Sequence, residues 1–266
     1  MDIYKQYDLI FSIGGNCAAA HNLRLRGLRK FSLPFDWTYI KDESALYKLA
    51  DEFENNFKNS LILKNLQELS KEEYSQAHSD KFQYKDLATG YYWVNHFSQK
   101  IDNNIKEYTR VKRKFDKRVT RLDNYIKKSK TILLILSTDL SVNIEPCRYL
   151  INKLNEKYPN KIFDIKVLSF GCQENITIEE PNIIINHYKR ELNLNDFIKT
   201  NIEWEFLDTI DYNPILLNSF FNLMIIEPQK RGLAIHVLPS IKTIFYIKIY
   251  FIGFRLQFVL GRNKNE

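Results

Sequence analysis

The chain has 266 residues, of which 44% are hydrophobic and 27% charged, with only eight glycines and seven prolines. That composition belongs to a soluble globular protein and excludes a disordered or linker-rich chain; the length fits one large domain, or one domain plus an appendage. The formal charge of +7 is a local feature, because the stretch from Lys100 to Lys130 holds 12 Lys/Arg against 4 Asp/Glu, and the rest of the chain sums to −1.

The first organised stretch is "DLIFSIGGNCAAAHNLRLRGL". Asp8 to Ile13 reads as a short buried strand ended by Gly14-Gly15, and a helix is expected from about Cys17 to Arg26 with Gly27 as its C-cap. "KFSLPFDWTYI" reads as an ordered loop packed on the core. Residues 42–80 are polar with a helical flavour and are expected to form an insertion or lid. "GYYWVNHF" is an aromatic strand in which alternation places His96 on the face of Tyr92 and Val94. Apolar residues at intervals of three and four from Ile101 to Ile126 predict a long amphipathic helix with its basic residues on other faces. "TILLIL" (131–136) is a buried strand, a helix is expected from Asn143 to near Tyr158, and "KIFDIKVLSF" and "NIIINHY" are further strands. Strand, helix, strand at this spacing predicts an α/β fold: a three-layer core with a mostly parallel sheet.

The tail reads differently. Residues 1–212 are expected to form the α/β catalytic-like domain and 213–266 an apolar, basic tail. The run 241–260 is about as long as a bilayer is thick, roughly 20 residues. Its charges Lys242, Lys248 and Arg255 would each cost about 2.5–3.5 kcal/mol at a helix centre. The expectation is therefore an apolar C-terminal helix lying in the membrane interface, with Lys248 and Arg255 seven residues apart on one face, giving peripheral contact at the inner face of the cell membrane.

Cys17, Cys147 and Cys172 are odd in number and widely spaced, which points to a reducing cytoplasm rather than a disulfide framework. No basic n-region precedes the first apolar run, and Asn16 occupies the place where a lipoprotein cleavage site needs a small residue. A cysteine in the first turn of a helix meets unpaired backbone N–H groups and the positive end of the dipole, both of which favour the nucleophilic thiolate. Gly14, Gly15, Asn16 and Trp37 are the candidate substrate-binding residues, with a backbone N–H of the turn as an oxyanion donor. His96 is the candidate base, and Asp36 the orienting third group, since a carboxylate among aromatics needs a cationic partner. Against this stand the roles of Cys17 as apolar filler and His96 as a satisfied core residue. His187 and Asp139, each following a strand, are alternative polar groups at the crevice. His21, one turn from Cys17, makes no metal site with it, and no metal or other cofactor is expected.

The run "FSIGGNCAAAHNLRLRGLRKFSLPFDW" resembles the N-terminal signature of a bacterial family of unknown function named "putative papain-like cysteine peptidases". That signature is a strand, S-x-G-x-x-C, an alanine-rich helix, "LR", "GLR" and a proline-containing "FDW". The aromatic stretch with His96, the helix "YTRVKRKFDKRVTRL" and the strand "TILLIL" follow the family's order, so the resemblance covers roughly residues 7–170. It implies Cys17 as nucleophile, His96 as base and Asp36 as a third member. The function expected is a cysteine-dependent hydrolase or acyl-transfer enzyme with a Cys-His dyad, acting on a peptide, small-molecule or glycan substrate. The alternative is a transferase or accessory protein of surface-polysaccharide biosynthesis that binds a phosphate or nucleotide-sugar at the Gly14-Gly15 turn. Nucleic acid is not an expected partner, because charge runs are usually solvated faces and no recognition motif accompanies this one.

Overall fold

The computed structural model describes residues 6–73, 80–102, 105–191 and 202–214, and the backbone of strands 234–239, 244–251 and 254–261. The chain divides into two units, Met1–Ile215 and Leu216–Glu266.

The first unit is built on β1 (Leu9–Ser12), β5 (Thr131–Thr138), β6 (Ile162–Phe170), β7 (Ile176–Glu180) and β8 (Ile183–Tyr188), in the order β1-β5-β6-β8-β7. All neighbours pair in parallel except β7, which closes the edge antiparallel to β8. Strands covered on both faces need apolar residues at successive positions, which is why 132–136 reads as an unbroken run. The two faces nonetheless separate by alternation. Leu9, Phe11, Leu134 and Val167 join one core cluster, while Ile10, Leu133, Ile135 and Leu168 join another.

The first face is covered by α2 (Ser44–Glu54), α3 (Ile105–Lys128) and α4 (Ile144–Lys157), the second by α1 (Ala18–Leu25) and a 3-10 turn at Ile202–Asp208 that brings in Trp204 and Leu207. The expected three-layer α/β core is therefore the observed one. In α3 the buried residues Val111, Phe115, Leu122 and Ile126 follow the predicted spacing. Residues 42–54, however, belong to the framework and not to a lid. Ala45, Leu46, Leu49, Ala50 and Phe53 of α2 are buried, and Tyr149 and Lys153 of α4 bond Asp51 and Glu54.

A second, antiparallel sheet consists of β2 (Leu66–Glu68), β3 (Phe82–Asp86) and β4 (Tyr92–Phe97). Tyr84 pairs with Trp93 but Phe82 with Phe97, so β4 carries extra residues opposite β3 and its alternation breaks. This bulge overturns the expected face of His96. Its ring packs edge-on against Trp93, with centroids 4.9 Å apart, while Tyr92 and Val94 form a separate cluster with Leu69.

In the second unit the expected helix over 241–260 is a correction. Residues Ile244–Phe251 (β10) and Phe254–Gly261 (β11) are antiparallel strands, with β9 (Ala234–Pro239) on the other side of β10. The physical reason lies in "IFYIKIYF": isoleucine and aromatic residues suit a strand, and Phe251 pairs with Phe254. The interfacial-helix argument for membrane contact lapses with the helix. Among the described residues no helix is long and apolar enough to cross a membrane.

One carboxylate ties β4 to α3. Glu107 accepts hydrogen bonds from the Ser98 N–H (2.7 Å) and hydroxyl (2.8 Å), and pairs with Arg110, whose guanidinium also reaches the His96 carbonyl at 2.9 Å. Those donors hold its pKa at about 2, against an ordinary 4.5. A depressed carboxylate contributes stability above its unfolded value and loses it as the pH falls through the folded one. Urea midpoints of the wild type should therefore drop between pH 4.5 and 2. Glu107→Gln should be less stable at neutral pH and show a flatter decline over that interval.

Candidate active site

The site begins where β1 leaves the sheet. Gly14 and Gly15 both have left-handed backbones, φ +89° and +87°. A Cβ on Gly15 would stand 2.3 Å from the Ser137 carbonyl oxygen, and one on Gly14 would stand 2.6 Å from Thr38 Oγ1. The chain therefore passes between the end of β5 and the 35–40 segment only because neither residue has a side chain. Ser12 Oγ accepts from the Gly14 N–H (3.1 Å), and the Tyr91 hydroxyl donates to the Ile13 carbonyl (2.6 Å).

Asn16 follows, 1% exposed. Its Oδ1 accepts from the Ala18 N–H at 2.9 Å, while its Nδ2 has no hydrogen-bond partner among the described residues. Ser137 Oγ, on the strand end that Gly15 abuts, is likewise buried without a partner. Two orphaned polar groups at one strand–turn–helix junction are a departure from the near-complete pairing of protein interiors.

Cys17 is the N-cap of α1, and its carbonyl accepts the first helical bond, from the His21 N–H at 3.0 Å. Ala18, Ala19 and Ala20 behind it are buried, their small side chains letting α1 lie close to the sheet. Sγ stands 3.7 Å from the Tyr39 hydroxyl. Among the described residues this is its one side-chain hydrogen-bond partner; neither His96 nor His21 nor His187 bonds it. Burial raises the Cys17 pKa, and the Tyr39 hydroxyl only partly opposes it. Tyr39 is itself raised, by burial and then by Cys17 and Asp139. Of the three free thiols, Cys17 alone is half-buried; Cys147 is held in the core, its pKa up at about 12, and Cys172 is buried beside Ser169.

The 33–39 segment supplies the remaining predicted residues. Asp36 accepts from Arg29 Nε (2.9 Å) and the Leu33 N–H (2.8 Å), so the cation that its burial requires is a guanidinium and not the imidazolium expected. Burial pushes its pKa up while Arg29 pulls it down. Trp37 lies beneath the Arg29 guanidinium, 5.5 Å from its ring centroid, and its carbonyl sits 3.2 Å from His96 Nε2. Tyr39 exchanges backbone hydrogen bonds with Tyr92. The structure thus brings Cys17 to Tyr39, and His96 to Trp37, two residues earlier in the same segment. Tyr39 and Ser137 were not among the expected site residues. Nothing local marks either; both reach the junction through pairing between distant parts of the chain.

His187 Nε2 is 3.0 Å from the Val142 carbonyl, and His21 Nδ1 is 3.2 Å from an Arg24 nitrogen. Among the described residues no group of three His, Cys, Asp or Glu is placed to hold a metal ion.

The turn's constraint yields a prediction. Gly15→Ala must move the Ser137 carbonyl or the turn, and should destabilise the protein by about 2–4 kcal/mol in urea denaturation, combining left-handed strain with a backbone clash. Gly27→Ala is the control: its φ is +71°, but a Cβ there meets nothing within 4 Å, so a loss of about 1 kcal/mol is expected.

In comparison with known families, residues 8–173 match the family described as "putative papain-like cysteine peptidase". No curated protein and no solved structure matches the chain.

Proposed function

Because the chain belongs to the family of "putative papain-like cysteine peptidases", we propose that it is a cysteine hydrolase with Cys17 as nucleophile, acting on a peptide or small-molecule carbonyl. One observation carries the residue assignment. The half-buried thiol of the chain is preceded directly by Asn16, whose amide Nδ2–H is buried and unpartnered. An orphaned donor costs about 1–3 kcal/mol in the resting protein and is satisfied when an oxyanion forms beside it.

The chemistry then runs in two stages. Sγ bonds to the carbonyl carbon, the π pair moves onto oxygen, and Asn16 Nδ2 donates to that oxygen. As the pair returns, the leaving group departs carrying the proton that the thiol has lost. Water next attacks the thioester, releasing the acid and restoring the thiol. The Tyr39 hydroxyl donates a hydrogen bond to the thiolate, opposing the burial that raises the thiol's pKa. His96 acts as a positioning residue: it holds the Trp37 carbonyl and so the segment that carries Tyr39. This replaces a bonded Cys-His pair with a link through the 37–39 backbone. The alternative, a phosphate or nucleotide-sugar at the Gly14-Gly15 turn, has less support, because the Ala18 N–H is already taken by Asn16 and the two glycines are pressed against Ser137 and Thr38.

Mass-spectrometric alkylation with chloroacetamide as a function of pH tests the assignment. Cys17 should label ahead of Cys147 and Cys172, and Cys17→Ser should remove that labelling together with any peptidase or thioesterase turnover. Tyr39→Phe should move the midpoint of the Cys17 profile upward by up to about one pH unit, the size expected for one lost hydrogen bond to a charged group. His96→Ala should move it the same way, and His96→Gln, which keeps an N–H for the Trp37 carbonyl, should largely restore it. Turnover that survives Cys17→Ser sinks the assignment. Loss of turnover in His96→Gln with an unmoved alkylation profile would make His96 the base instead.

A further inference from the structure

On the side of β4 facing α3 lies a hollow of about 140 Å³, lined by Trp93, Asn95, His96, Arg110, Lys114 and Arg118 together with Val111 and Phe115. No carboxylate lines it. The neighbouring charges are already matched: Arg110 by Glu107, and Arg29 by Asp36. Two cations of the hollow are not. Arg118 is half-buried and, among the described residues, makes no hydrogen bond or ion pair; Lys114 makes none either. Burial is the main cost of the Arg118 charge; Asp36, already bonded to Arg29, attracts it, while the guanidiniums Arg29 and Arg121 repel it. The indole N–H of Trp93, a residue that lines the hollow, is buried with no partner among the described residues.

A half-buried guanidinium with no anion bonded to it is unfavourable unless something completes it, because its desolvation is then only partly compensated by Asp36. The wall supplies a planar guanidinium fork, an ammonium and the Asn95 amide. We propose that this hollow binds a dianionic phosphoryl group, either inorganic phosphate or the phosphate monoester of a small molecule, held bidentately by Arg118 with Lys114 as the second charge. Two unmatched positive charges fit a dianion better than a carboxylate, and the fork geometry of arginine suits two phosphate oxygens. The inference does not rest on the chemistry at Cys17, and phosphate binding is read independently of thiol reactivity.

Isothermal titration of the full-length protein with sodium phosphate at constant ionic strength tests the site. Binding of one phosphate per chain is expected, and Arg118→Gln and Lys114→Gln should each weaken it at least tenfold. Lys128→Gln, at the far end of α3, should leave it unchanged. Arg118→Lys keeps the charge but loses the fork and should fall between wild type and Arg118→Gln. Circular dichroism of each variant establishes folding, and Lys114→Gln, at an exposed position, keeps the test valid should Arg118→Gln fail to fold. Phenyl phosphate binding as tightly as phosphate, or more tightly, assigns the site to a monoester; weaker binding assigns it to the free ion. Acetate at equal concentration should bind at least tenfold more weakly. Equal affinity for acetate, no saturable phosphate binding, or a phosphate affinity unchanged in Lys114→Gln and Arg118→Lys would overturn the proposal.

Discussion

The two glycines between β1 and α1 are the constraint on which the site depends. The β1 backbone must leave the sheet, clear the Ser137 carbonyl on one side and Thr38 on the other, and enter a helix after five residues. Left-handed φ values and absent side chains are what make that path open. The consequence is chemical. The tight passage delivers Asn16 buried, with one side of its amide spent on the Ala18 N–H and the other left over, and delivers Cys17 at the helix mouth. Small alanines behind the cysteine then seat the helix on the sheet.

A second set of interactions holds the opposite wall. The 33–39 segment has to bury a carboxylate, and does so by giving Asp36 a guanidinium and a backbone N–H. Breaking such a pair leaves an unmatched buried charge, which costs about 3–5 kcal/mol, so the Asp36–Arg29 pair fixes the shape of the wall. From that anchor the segment runs past His96 to Tyr39, which faces the thiol and is stitched to Tyr92. Burial raises the Cys17 pKa, and the Tyr39 hydroxyl opposes that rise.

Much of the fold was legible in the residues alone, for stated reasons. Buried runs such as 132–136 and the three-and-four spacing of α3 are direct imprints of which faces meet the core. The helix-mouth cysteine was visible because two glycines mark the turn. What escaped was set by tertiary pairing. A bulge in β4, created by its register against β3, turned His96 towards α3, and no periodicity within "GYYWVNHF" announces it. The cation that neutralises Asp36 sits seven residues upstream, and composition could not choose between it and a histidine. The run from 244 to 261 is apolar enough to suit either helix or strand, and its isoleucines and aromatics decided for the strand.

The central claim is that the orphaned Asn16 amide and the Cys17 thiol form one reaction centre. A crystal structure of the full chain treated with a small peptide aldehyde tests it most directly, because the hemithioacetal oxygen marks where an oxyanion would sit. The account predicts an adduct on Cys17 with that oxygen about 2.7–3.1 Å from Asn16 Nδ2. An adduct on Cys147 or Cys172, or a Cys17 adduct whose oxygen faces solvent while Asn16 Nδ2 stays unpartnered, would contradict it.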